Sequence, residues 1–312
     1  MHPALSVIFL TTLIGVGQGL FLALYVADIG AMLEWLPRQS PRFFALGSAL
    51  VFVFLAAGLV ASFFHLGRPE RAWRAAARWR TSWLSREVIV LPAFMACALA
   101  YAGMHYLGIE GTRAVGAIGV AVCFALFVCT AMIYACIKFL QEWATPLTIV
   151  NFVLLGCASG YTFAAAYALE QAPALAMIYA KWAVVLTAVG LCTRAAALVR
   201  NARIRPKSTI QTAIGIKHPR VVQKAMGFMG GSFNTREFMH GRAPAVVRTI
   251  KWTFLVLTFP VPVALLTAGV ALGIPLLFVG AFVLQYCGLL AERWFFFAQA
   301  RHPQNLYYQA MS

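Results

Sequence analysis

The amino-acid sequence predicts an all-α integral membrane protein, a bundle of about eight transmembrane helices with both termini cytoplasmic. Composition is the first observation behind this: 62% of the 312 residues are hydrophobic, 11% are charged and the mean hydropathy is +0.80. A soluble domain carries about a quarter charged residues. Length is the second. Apolar stretches able to cross a bilayer, which takes about 20 residues as helix, lie at about 5–27, 43–66, 86–108, 113–140, 147–168, 174–200, 251–272 and 274–298. The third is where the 25 cations fall. Alternating spans place 21 of them on the side of both termini, against Arg38, Arg42 and Arg113 opposite and Lys181 just inside the sixth span. The positive-inside rule makes the first side cytoplasmic. The net charge of +16 is then mainly a topology signal, and cations flanking apolar spans exclude a nucleic-acid partner.

Taken in order, the first span has no cationic leader and no small-residue cleavage pattern, so it reads as a retained helix of a single transmembrane domain covering 1–312. Gln18, among Gly15, Gly17 and Gly19, marks close helix packing. The second span runs to His65, where Gly67 is suited to end the helix and Pro69 to open the next. Arg71, Arg74 and Arg78 then recur at helical spacing beside Trp73 and Trp79, which makes 67–85 a basic turn and short helix in the inner interface. Ser85 can cap the third span, with Arg86 and Glu87 in its first turn, where a carboxylate complements the helix dipole. His105 falls near the outer end of that span and reads as interfacial. All seven cysteines lie inside spans, none at short metal-ligand spacing, and read as small packing residues.

Between the sixth and seventh spans lies a basic connection, 201–250, rich in aromatic, methionine and glycine residues. That composition argues against disorder and for a cytoplasmic loop that docks a partner, with Lys217, His218, Asn234 and Arg236, together with Arg74 and Arg78, as candidate docking residues. A solvated loop touching membrane lipid headgroups is the alternative.

Only nine carboxylates exist, so their depth is informative. Alternation brings His65, Glu87 and Glu292 with Arg293 to one level at the inner boundary, where ionisable groups are functional candidates. An imidazole with a pKa near 6.5 exchanges protons at neutral pH, which suits a substrate that takes up protons on reduction. Simpler roles stay open: a backbone carbonyl for His65 and a nearby arginine for Glu292. Haem needs axial ligands, and His65 and His105 fall near opposite faces. No haem or iron–sulfur cluster is therefore expected in this chain, although a methionine-ligated haem stays open.

The stretch Leu59-Val60-Ala61-Ser62-Phe63-Phe64-His65-Leu66-Gly67-Arg68-Pro69-Glu70-Arg71-Ala72, with Leu84-Ser85-Arg86-Glu87 and Leu289-Leu290-Ala291-Glu292-Arg293, resembles the membrane anchor of dimethyl sulfoxide reductase. The resemblance covers the whole bundle. It implies an anchor in the bacterial cytoplasmic (inner) membrane that holds a molybdopterin catalytic subunit and a several-cluster iron–sulfur subunit, and exchanges electrons with ubiquinone or menaquinone. The histidine implicated at the quinol site matches His65. Two features differ: His65 falls on the cytoplasmic side by charge, and the loop with Ile216-Lys217-His218-Pro219 and Asn234-Thr235-Arg236-Glu237-Phe238 is additional. Both, with the tail from Arg301 to Tyr308, are similar to the anchor of the cytoplasmic sulfite-oxidising molybdoenzyme.

The resemblance implies a sulfite dehydrogenase anchor in which His65 hydrogen-bonds a quinone oxygen and Glu87 and Glu292 serve a cytoplasmic proton path. Arg68 and Arg71 would stabilise negative charge on the reduced quinone or dock the cluster-bearing partner. No catalytic centre or metal is expected in this chain, and its catalytic partners are expected on the cytoplasmic side. The alternatives are a reductase anchor that oxidises quinol, and a proton-coupled secondary transporter, against which stand the lack of a midplane charged site, of broken-helix signals and of visible repeats.

Overall fold

A computed structural model describes residues 4–64, 66–222 and 244–303. Eight helices are long and apolar enough to cross a membrane, and no strand occurs among the described residues. The first six spans are single helices: α1 (Leu5–Met32), α2 (Pro41–Phe63), α3 (Trp83–Leu107), α4 (Thr112–Ala135), α5 (Pro146–Tyr167) and α6 (Pro173–Ala202). A short α7 (Ile210–Ile214) follows. The seventh span is built from α8 (Pro244–Thr258) and α9 (Pro260–Leu272), and α10 (Leu277–Ala298) is the eighth.

Local sequence explains most helix ends. Ser40 accepts from the Phe43 amide at 3.2 Å ahead of Pro41, and Thr145 caps α5 ahead of Pro146. Gly108 and Gly273, at φ of +67° and +65°, supply the left-handed residues that close α3 and α9. Burial is organised around α1, which packs on α2, α4, α5 and α10. Its approach to α5 is a backbone contact: a Cβ on Gly160 would sit 2.3 Å from the Cα of Gly19. The glycines around Gln18 therefore do mark close packing.

Three local expectations need correction. Helix α2 ends at Phe63 with Phe64 as its right-handed cap, so Gly67 does not end it and lies in the link to the next segment. That segment, Pro69–Arg78, is a 3-10 helix with no buried residue, opened by Pro69 as expected. The cap of α3 is Ser82, whose Oγ accepts from the Ser85 amide at 3.3 Å. Starting three residues earlier puts Glu87 in the second turn and aims it into the bundle, away from the helix end. Finally, the seventh span is broken at Phe259, because Pro260 has no amide to donate and crowds the preceding turn. Gly288 of α10 packs directly on Thr258 at the break.

Candidate functional site

The ends of the helices on the face that carries both chain ends hold most of the buried charge. Glu292 on α10 is 1% exposed, and its Oε1 lies 2.8 Å from Nε of Arg194 on α6. The approach is an ion-pair contact whose angle is not that of a hydrogen bond. Its other oxygen, Oε2, lies 3.4 Å from Nη1 of Arg293. Aromatic rings complete the seat: Arg293 stacks 3.6 Å from the centroid of Phe152, and Arg194 lies over Phe254 at 5.4 Å. Two guanidinium groups around one carboxylate leave the cluster with a formal charge of plus one. Burying such groups is costly unless they are paired, so the cluster holds α6 and α10 in fixed register.

Glu87 has different company. At 6% exposure it accepts a short hydrogen bond from the Thr130 hydroxyl of α4, and no cation lies within ion-pair distance of it among the described residues. Thr130 and Arg293 border one small space with Thr11, Thr12, Gln18 and Ser159, of about 20 Å3. Gln18, fully buried, donates to the Cys123 carbonyl at 2.9 Å. Glu87 and Glu292 thus share an end of the bundle without touching, linked through polar groups on α1, α4 and α5.

The basic turn is on the surface. Arg68, Arg71, Arg74 and Arg78 are all exposed, and Arg71 meets Glu70 at 3.8 Å. Arg86 secures the turn to α3, donating to the carbonyls of Trp79 and Arg80 at 2.9 Å each while it lies over the Trp83 ring. Phe64 and Trp73, 83% and 72% exposed, add an apolar surface beside these cations. His65 lies outside the described residues, as do Asn234 and Arg236. Lys217 and His218 are exposed beyond α7, whose capping box pairs Thr209 with Thr212. Near them a groove of about 640 Å3 opens between the α4–α5 connection, the end of α6 and Arg301–Pro303. Among the described residues no group of three or more His, Cys, Asp or Glu side chains is placed to hold a metal ion.

Several side chains differ from expectation. Arg194 and Arg293, counted above as cytoplasmic cations, are 2% and 4% exposed and pair with Glu292. They belong to the bundle, and without them 19 cations still stand against three. His105 lies in the last turn of α3, at the outer end of the span, but turns inward. Its side chain is 10% exposed, stacked on Phe44 and 3.5 Å from Asp28, which also accepts from the Tyr101 hydroxyl at 2.9 Å and faces Arg113 at 3.4 Å. This second ionic cluster, at the opposite end of the bundle, was not foreseen, although Asp28 inside an apolar span was its signal. Thr130 had none, because a lone hydroxyl in a span ordinarily bonds its own helix.

Comparison with known proteins places this arrangement. The model of the family described as DMSO reductase anchor subunit (DmsC) matches residues 1–297. A sulfite dehydrogenase subunit from Allochromatium vinosum is 55% identical over 325 aligned positions, which cover 100% of both chains. No solved structure matches. With eight candidate spans and a match over almost its whole length, the chain belongs to the DMSO reductase anchor subunit family.

Proposed function

We propose that this chain is the quinone-reactive membrane anchor of a molybdopterin and iron–sulfur oxidoreductase, passing electrons from sulfite oxidation to the quinone pool near the cytoplasmic face. The observation that carries this reading is the full-length 55% identity to a protein named as part of a sulfite dehydrogenase. Quinone supplies a two-electron, two-proton acceptor; this chain supplies its seat and its protons. A flat apolar head with two carbonyl oxygens needs aromatic surface and hydrogen-bond donors together. Phe63, Phe64 and Trp73 offer the first and Arg68 and Arg71 the second, all exposed and close to His65 in the chain.

In this reading His65 donates to a quinone oxygen, and Arg68 and Arg71 favour the negative charge that reduction brings. Glu87, one residue beyond Arg86, holds a proton at its carboxylate within the bundle, and Glu292 lies on the same face. Arg74, Arg78, Lys217 and His218 form a cationic surface for the cluster-bearing partner, with Asn234 and Arg236 from the same loop. The cation distribution supports a cytoplasmic location for that surface.

Replacing His65 with Ala tests the seat. Quinone reduction by the assembled complex is expected to be lost while its partner proteins stay bound, and unchanged turnover overturns the reading. The family name favours one second reading, an anchor that oxidises quinol for a reductase. Purifying the complex and assaying which substrate its molybdenum-bearing partner turns over separates the two.

A further inference from the structure

Four of the eight buried polar atoms without a hydrogen-bond partner among the described residues, on Arg194, Glu292 and Gln299, border one small space near the face that carries both chain ends. Three spaces follow one another inward from the face that carries both chain ends. The outermost is the groove of about 640 Å3, whose wall includes Glu142 and Asn201. Both residues also line a small space of about 10 Å3, shared with Arg194, Glu292 and Gln299. Nη2 of Arg194, Oε2 of Glu292 and Nε2 of Gln299 each lack a hydrogen-bond partner, and the first two belong to side chains 2% and 1% exposed. Phe152 and Arg293 border this space and also the next, of about 20 Å3, which ends at Thr130 and so at Glu87. Farther along α1 and α3 the interior is aromatic: Phe21 packs on Phe94 and Tyr101 with ring centroids 5.2 and 5.6 Å apart.

A buried space of roughly 10–15 Å3 holds one water when two to four polar groups face it. Both small spaces have that size and face several polar groups, and buried donors and acceptors ordinarily find partners. We propose that they hold ordered water and form a one-ended proton inlet, running from Glu142 and Asn201 through Glu292 to Thr130 and Glu87. The inlet serves the quinone reaction and rests on that reading. Each quinone reduced to quinol takes two electrons from the partner complex and two protons. The protons come from the aqueous phase at the groove, and bulk water refills the line. The Glu292 carboxylate, the water in the two spaces and the Thr130 hydroxyl carry them to the Glu87 carboxylate, from which they pass to the quinone oxygens. Arg194 and Arg293 position Glu292 through their ion-pair contacts, and Arg293 and Phe152 border both spaces. The aromatic block beyond keeps the inlet from crossing the membrane, so no charge is pumped through this chain.

Two measurements test this independently. In radiolytic hydroxyl-radical footprinting of the full chain in detergent, bound water oxidises the side chains beside it. Phe152, 4% exposed, is expected to be labelled several-fold faster than Phe94, 0% exposed and in the aromatic block. Equal labelling overturns the inlet whatever the quinone does. In the assembled complex, Thr130→Val removes one hydroxyl at nearly constant volume and Glu142→Gln removes the charge at the mouth. Each is expected to slow quinone turnover several-fold and to deepen the slowing in deuterium oxide, whereas exposed Cys192→Ser changes neither. If His65→Ala abolishes turnover while Thr130→Val and Glu142→Gln leave it intact, the inlet is wrong and the quinone seat stands. If His65→Ala has no effect, the quinone seat itself is wrong.

Discussion

The cluster around Glu292 makes an asymmetric prediction. Glu292→Gln leaves Arg194 and Arg293 facing each other at 2% and 4% exposure with no anion between them. Breaking a buried pair by removing one partner costs about 3–5 kcal/mol. At this burial solvent screens little, so the full range applies. Arg194→Met is different in kind. It removes the 2.8 Å contact but takes the cluster from plus one to neutral, keeps the Glu292–Arg293 contact at 3.4 Å, and fills the space with an apolar side chain. Because replacing buried ions by apolar volume is often close to neutral, its cost should stay below roughly 2 kcal/mol. The double variant then has one cation without its anion instead of two, and should be less destabilised than the sum of the singles, by a coupling of about 0.5–3 kcal/mol. Equilibrium unfolding of the full chain in mixed detergent and dodecyl sulfate micelles measures all three. An Arg194→Met cost equal to or above that of Glu292→Gln, or strictly additive effects, would refute the reasoning.

Three further outcomes are expected. Gly160→Val should cost about 3 kcal/mol or more, or prevent accumulation, because its Cβ meets Gly19 backbone that cannot yield; Gly103→Ala, with nothing within 4 Å, should be neutral or stabilising by about 0.5–1 kcal/mol in the same unfolding assay. Tyr101→Phe removes the 2.9 Å hydrogen bond to the buried Asp28 carboxylate and should cost about 1.5–3 kcal/mol while leaving quinone turnover unchanged, since that cluster lies at the opposite end of the bundle. For orientation, Glu34→Cys and Lys217→Cys, made after exposed Cys136, Cys192 and Cys287 are changed to Ser, should react with a membrane-impermeant maleimide from opposite sides: Glu34→Cys in intact spheroplasts, Lys217→Cys only in inverted vesicles. Labelling of Lys217→Cys in intact spheroplasts would reverse the topology.

Spans were legible because crossing a bilayer demands a long uninterrupted apolar run, a property of consecutive residues. The placement of Pro69 at the start of the basic segment and the close packing of Gly15, Gly17 and Gly19 were legible for similar local reasons. Helix caps were less so. Ser82 and Ser85 compete for the start of α3, and the earlier one wins, which rotates Glu87 from the helix end to the bundle interior. The break at Pro260 was present in the residues but hidden by the apolar composition on both sides.

What composition and charge settled alone were the helical class, the eight candidate spans and the shared level of Glu87 and Glu292, since each depends on position along the chain. Partners were beyond their reach. Arg194 and Glu292 are 98 residues apart, Glu87 and Thr130 are 43, and which side chains face each other depends on how helices rotate as they pack. Packing of α3 on α4, and of α6 and α10 on α5, sets those rotations. For that reason an arginine that reads as a cytoplasmic cation is a buried counter-ion in the folded chain, and an unremarked threonine is the partner of the buried glutamate.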